Sequence, residues 1–170
     1  DAKAGDILLV SGTLGDARAG LELMKSLDGI AESNRKALIE RFKRPQARLT
    51  LGAEVRGYAN AAIDLSDGLL ADVGHVMASS GCSAEIEVDR LPISNEIRAV
   101  FGRERALEYA IAGGDDYELV LTVPPRYLDR VMQISTDVSV SLTAVGRVIE
   151  GSGVVCLDGE GQQLSIAVSY

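Results

Sequence analysis

Short apolar runs that stop at clusters of glycine and oxygen-bearing residues limit most strongly how this chain can fold. Residues 7–10 (Ile-Leu-Leu-Val) end in Ser11-Gly12, and residues 61–65 end in Ser66-Asp67-Gly68. Both are too short for helices and read as buried strands. Residues 83–88 alternate strictly, with Ala84, Ile86 and Val88 against Ser83, Glu85 and Glu87. That period of two marks a half-buried strand. Residues 117–123, 138–149, 154–157 and 163–168 complete the strands, and Gly159-Glu160-Gly161 supplies a hairpin turn between the last two.

The stretches between have helical spacing. Over 16–27, Ala17, Leu21, Met24 and Leu27 line one face. Ser33 is a candidate N-cap for a helix through Phe42, which stops before Pro45. Residues 46–59 read as a further helix weakened by Gly52 and Gly57. Over 68–79, Leu69, Val73, Val76 and Met77 point inward, and Gly81 ends the helix. Ser94 can cap one helix, 103–112 is a second, and Pro125 opens a last one to about Ile134. Strands alternating with helices, followed by a strand-rich end, predict an α+β fold in layers: a mixed β-sheet flanked by helices. No internal repeat or linker divides it, so residues 1–170 read as a single domain.

Charge and cysteine content narrow the function. Seventeen Lys and Arg against 25 Asp and Glu give a net charge of −8. That argues against nucleic acid or an anionic membrane as a partner. It leaves a phosphate substrate open, because carboxylates can hold Mg²⁺ and the metal can hold phosphate. Cys82 and Cys156 fit no zinc spacing and read as two free buried thiols. No apolar run reaches the ~18 residues of a membrane span, and no signal peptide is visible, so a cytoplasmic location is the expectation.

Three segments carry candidate chemistry. Residues 11–20 (Ser-Gly-Thr-Leu-Gly-Asp-Ala-Arg-Ala-Gly) join a strand to a helix. Such a junction can cradle phosphate on free N–H groups. The plainer and preferred reading is a tight turn in which Asp16 favours the helix N-terminus. In residues 61–70, Asp64 and Ser66 share one side of a strand end, and Asp67 starts the next helix. Two carboxylates and a hydroxyl there suit Mg²⁺; an Asp cap with an Asp-Gly turn is the competing reading. In residues 112–119, Gly113-Gly114 precedes Asp115-Asp116 at a strand mouth. Glycine there permits close approach of backbone to a ligand. Period two puts Asp116 with Glu118 on one face, and Asp115 with Tyr117 on the other. A helix C-cap followed by a solvated strand entry explains the same residues.

The one basic concentration is Arg35, Lys36, Arg41, Lys43, Arg44 and Arg48. A solvated helix face is preferred to an anion contact. His75 has no Cys or Ser partner in sequence and reads as structural, and no catalytic residue is assigned.

At these motifs the chain resembles the C-terminal domain of the thiamine-monophosphate kinase family. That family lies within the superfamily of aminoimidazole ribonucleotide synthetase and selenophosphate synthetase. The resemblance runs nearly end to end. It takes in Gly5-Asp6, residues 10–15, Ala19-Gly20-Leu21, Arg44-Pro45-Gln46-Ala47-Arg48, residues 62–69, Asp72-Val73-Gly74-His75, Leu91-Pro92-Ile93 and residues 113–119. It implies a fold like the C-terminal domain of aminoimidazole ribonucleotide synthetase. It also implies transfer of the ATP γ-phosphate to thiamine monophosphate, with several Mg²⁺ ions. Asp64 and Asp67 match metal ligands, Ser66 an ATP contact, and Asp115 and Tyr170 contacts to the thiamine substrate. Asp115 stands where the family often carries Glu, one methylene longer, and the residues that usually follow Tyr170 are missing. The family's N-terminal ATP-binding domain, which builds a homodimer, is absent from this chain. Two further readings remain: a superfamily relative with another substrate, and a non-catalytic module that kept a ligand pocket.

Overall fold

The computed structural model describes residues 1–25 and 29–164. The order along the chain is β1 (Ile7–Ser11), α1 (Asp16–Met24), α2 (Glu32–Lys43), α3 (Leu49–Val55), β2 (Ala61–Asp64), α4 (Leu69–Ser80), β3 (Ser83–Glu87) and α5 (Asn95–Ala112). It continues with β4 (Leu119–Val123), α6 (Leu128–Asp137), β5 (Leu142–Ile149), β6 (Gly153–Leu157) and β7 (Gln163–Leu164). The strands form one mixed sheet in the order β2-β4-β1-β5-β3-β6-β7. Among the described residues only β3 and β6 run parallel; the other neighbours are antiparallel. The expected layered α+β architecture is therefore present.

The pleat decides which helices cover which face. Leu8 and Val10 of β1 join Val120, Val145, Ala84, Ile86 and Cys156 under α4 and α5, where Leu69, Val73, Met77 and Ile111 meet them. Leu9, between Leu8 and Val10, points the other way and packs with Leu121 and Val123 against Leu51 and Val55 of α3 and Val131 and Ile134 of α6. A third cluster, Ala19, Leu23, Leu38, Ile97, Ala106 and Tyr109, glues α1 and α2 to α5. Burying apolar side chains on both faces, at roughly 1.5–3 kcal/mol each, drives the layering.

Several boundaries differ from the sequence expectation, each for a local reason. The run 61–65 is not a buried strand. It is the sheet edge, with Ala62 and Asp64 exposed, because among the described residues only β4 pairs with it. The helix expected over 46–59 is confined to Leu49–Val55; the N–H groups of both Tyr58 and Ala59 fold back on the Val55 carbonyl and close it. Ser33 lies inside α2, whose N-cap is Ala31 with no side-chain bond. In α1 the buried face carries Ala17, Gly20 and Leu23, whereas Met24 is exposed; Leu27 lies outside the described residues. Strand β4 starts at Leu119 because Tyr117 has a positive φ of 51°, and β5 starts at Leu142, after Ser139 at φ 55°. The strand expected over 163–168 is described only as Gln163–Leu164.

Other readings hold. Ser94 caps α5 by accepting from the Ile97 N–H at 3.2 Å. Within α5, Gly102 at φ 75° interrupts the helical backbone and divides it into the two helices expected. Gly81 ends α4 in the left-handed region. Both cysteines are free, but only Cys156 is buried, and burial pushes its thiol up to about 11; Cys82 is half-buried. Among the described residues no helix is long and apolar enough to cross a membrane.

Candidate functional site

The second and third motifs, about fifty residues apart in sequence, lie side by side. Beyond the β2–β4 pairing, the Leu65 N–H donates to the Glu118 carbonyl at 2.8 Å. The Tyr117 N–H donates to the Leu65 carbonyl at 2.9 Å, and the Asp115 N–H to the Ser66 carbonyl at 3.0 Å. A Cβ on Gly114 would lie 2.4 Å from the Ser66 carbonyl oxygen. The close approach that this glycine permits is thus to the neighbouring motif.

Side chains alternate along this seam as period two predicts. Asp116 and Glu118 turn inward and are buried; Asp115 and Tyr117 turn outward. The outward pair pays for its direction in backbone strain, with φ 68° and 51° in a region non-glycine residues rarely adopt.

Each inward carboxylate has a matched set of donors. Asp116 accepts from the N–H groups of Gly15 at 2.6 Å and Ala17 at 3.0 Å. The helix N-terminus that could have cradled a phosphate therefore holds the chain's own carboxylate, and residues 11–20 are the tight turn preferred above. Burial raises the Asp116 carboxyl to about 7, against the pull of those two N–H groups. Asp16 accepts from the Thr13 hydroxyl at 2.6 Å and the Ser94 hydroxyl at 2.5 Å, and burial raises its carboxyl too. Glu118, fully buried, accepts from the Ser11 hydroxyl at 2.5 Å, from Arg41 at 2.7 Å, and twice from Arg48 at 2.7 and 2.6 Å. Burial pushes this carboxyl up, but the bonds from Arg48, Ser11 and Arg41 outweigh it and hold it below the ordinary glutamate value.

These bonds correct the reading of the basic stretch. Arg41 and Arg48 are not part of a solvated face; they neutralise Glu118. Arg35 donates to the Leu23 carbonyl, and Arg44 makes an exposed pair with Glu40. Lys36 and Lys43 remain exposed. Arg41 and Arg48 also line an open cleft of about 620 Å³ with Asp16 and Ser94.

The outward acids are a different population. Asp64, Asp67 and Asp115 are exposed, and Ser66 is half-buried. Among the described residues none of these three carboxylates forms an ion pair. The backbone seam brings Asp64, Ser66, Asp67 and Asp115 to one edge of the sheet. Asp64 also borders an apolar pocket of about 430 Å³ walled by Leu49, Tyr117 and Leu119. Tyr170 lies outside the described residues.

Sequence reasoning missed Asp72. It is 2% exposed, sits in the first turn of α4, and accepts from the N–H groups of Ser66 and Asp67, each at 3.0 Å. Carboxylate oxygens of Asp67 and Asp72 and a ring nitrogen of His75 lie within 4.8 Å of one another. The signal was a charge on the otherwise apolar inner face of α4.

Comparison with known proteins places the chain in a family. Residues 3–158 match the family model of the AIR synthase related protein, C-terminal domain. The thiamine-monophosphate kinase of Haemophilus influenzae is 41% identical over 152 residues, covering 89% of this chain and 46% of the relative. That of Aquifex aeolicus is 41% identical over 161 residues, covering 94% and 50%. Among solved structures, the thiamine-monophosphate kinase of Stenotrophomonas maltophilia K279a superposes with a TM-score of 0.87 at 39% identity, over 96% of this chain and 52% of the other. AaThiL complexed with AMPPCP and TMP gives 0.80 at 39% identity, over 97% and 50%. The chain spans about half the length of these relatives, and because the family model matches nearly all of it, the chain belongs to the family of AIR synthase related protein C-terminal domains.

Proposed function

We propose that this chain supplies the C-terminal part of the active site of a two-domain, ATP- and Mg²⁺-dependent thiamine-monophosphate kinase, which phosphorylates thiamine monophosphate to thiamine diphosphate as a homodimer. The observation that carries the reading is the separation of the carboxylates. Asp16, Asp72, Asp116 and Glu118 are buried and matched to donors, whereas Asp64, Asp67 and Asp115 share one exposed edge without a cationic partner among the described residues. The relatives named above, one of them complexed with AMPPCP and TMP, support the choice of substrates.

Asp64 and Asp67 offer hard oxygen donors of the kind Mg²⁺ takes, with room left for water and phosphate oxygens. Bound there, the ion would neutralise charge between two polyanions. Ser66 presents a hydroxyl to ATP beside them. Asp115, carried outward on a strained backbone, faces the thiamine end of the acceptor. The acceptor is a phosphate oxygen, already largely ionised at neutral pH because its second pKa is near 6. No side chain has to remove a proton from it, and positioning is the work left to the protein.

The test is the full-length polypeptide with thiamine monophosphate, ATP and Mg²⁺, followed by product identification. Asp64→Asn lowers phosphoryl transfer by at least about 10–100-fold, the loss that even residues merely orienting a metal ligand cause. Because Asp64 is exposed, the melting temperature stays at or above the wild-type value. Retained turnover in that variant overturns the metal assignment, and wild-type protein that makes no thiamine diphosphate overturns the substrate.

A further inference from the structure

We infer that Asp72 is a positioning residue of this site, one that aims Ser66 and Asp67 without itself touching substrate. The inference rests on the kinase reading above. The turn between β2 and α4 is held on three sides. Leu65 is fixed by its backbone bonds to Tyr117 and Glu118, and the Ser66 carbonyl by the Asp115 N–H. The remaining two donors, the N–H groups of Ser66 and Asp67, both end on one oxygen of Asp72. Two consecutive N–H groups converging on one anionic oxygen fix the orientation of the peptide between them. That peptide sets the directions in which the Ser66 hydroxyl and the Asp67 carboxylate leave the backbone.

The choice of residue is informative. A buried carboxylate costs free energy unless its bonds compensate, and a turn could be capped by a neutral Asn or Ser instead. Gly68, the N-cap of α4, contributes no side-chain bond, so Asp72 reaches back from within the helix to do that work. It also lies against the donor atoms of Asp67 and His75, within 4.8 Å. Its charge therefore adds to the field that a cation at Asp67 feels. Outer residues that orient metal ligands typically alter metal affinity by about 10–100-fold when removed.

The experiment reads Mn²⁺ binding by electron paramagnetic resonance in the full-length polypeptide, with a non-hydrolysable ATP analogue present. Thiamine-phosphate turnover is measured in parallel. Asp72→Ala weakens Mn²⁺ binding about tenfold or more. Asp72→Asn, which keeps an oxygen for both N–H groups but not the charge, recovers part of that loss and binds Mn²⁺ more tightly than Asp72→Ala. Val73→Ala, a core truncation at the next residue of α4, controls for fold: it lowers the melting temperature and leaves Mn²⁺ affinity unchanged. Wild-type affinity in Asp72→Ala, an Asp72→Asn protein no better than Asp72→Ala, or an equal loss in Val73→Ala each overturns the positioning role. The predicted order of Mn²⁺ binding across wild type and variants, with no turnover of thiamine monophosphate by the wild type, sinks the kinase reading alone.

Discussion

Glu118→Gln should be among the most damaging single-atom changes in this chain. Glu118 is fully buried and accepts four hydrogen bonds, three of them from guanidinium groups. Glutamine keeps one acceptor oxygen and turns an NH₂ group toward donors. Arg48, 15% exposed, is left facing it without a counter-charge among the described residues, and Arg41, 25% exposed, keeps only the longer contact to Asp16 at 3.9 Å. Breaking a wholly buried ion pair costs about 3–5 kcal/mol. Partial exposure of both arginines lets water screen them, so the lower end, about 3 kcal/mol, applies here. At roughly 2–4 °C per kcal/mol for a domain of this size, the melting temperature falls by about 6–12 °C. The Ser11 hydroxyl, which donates to Glu118, also accepts from the Leu119 N–H at 2.8 Å, so the entry to β4 loosens as well. Thermal and urea melts of the two proteins at pH 7 measure the effect. A shift of less than about 2 °C would show that Arg41 and Arg48 find water as good a partner as Glu118, and would refute a structural role for them.

Asp116 gives stability the opposite pH dependence to that of Glu118. The folded chain holds its proton up to about pH 7, whereas an unfolded aspartate releases it near 3.8, so stability from this group is full below that lower value and is lost as pH rises through 7. Urea melts between pH 5 and 7 should show about 2–3 kcal/mol of this loss in wild type and none of it in Asp116→Asn; parallel profiles would refute it. Gly20→Ala should cost about 1–3 kcal/mol, because its Cβ would lie 2.1 Å from the Leu38 carbonyl oxygen and force α1 and α2 apart. An unchanged melting temperature would mean that this helix contact is slack.

Periodicity carries information about faces, and that part of the chain was legible. The alternation over 84–87 is present in β3, although Ser83 is buried and Val88 lies in a 3-10 turn beyond the strand, and the split of Asp116 and Glu118 from Asp115 and Tyr117 is present in the structure. What periodicity cannot carry is the partner of a face. Asp116 finds its donors at Gly15 and Ala17, and Glu118 finds Arg41 and Arg48, each dozens of residues away. Nothing local to either end announces such a pairing. The same gap explains the misreading of Arg41 and Arg48 as solvated and of residues 61–65 as buried. A short apolar run looks alike whether one strand or two flank it, and β2 has only β4. Asp72 was hidden differently: its role depends on N–H groups of a turn whose backbone direction the sequence does not state.

The two populations of carboxylate have one physical origin. A carboxylate removed from water must be matched by donors, and this chain matches Asp16, Asp72, Asp116 and Glu118 with hydroxyls, backbone N–H groups and guanidinium groups. An exposed carboxylate needs no such match, but several on one edge repel one another. Folding alone gives no reason to gather Asp64, Asp67 and Asp115 there: they are exposed and, among the described residues, pair with no cation. The buried set does the gathering. Asp72 grips the Ser66–Asp67 turn, and Asp116 and Glu118 anchor the strand entry that carries Asp115 outward. The net charge of −8 thus conceals a division of labour. Matched acids inside hold unmatched acids at the surface, and under the kinase reading proposed above that arrangement would gain its stabilisation when a cation and its phosphates arrive.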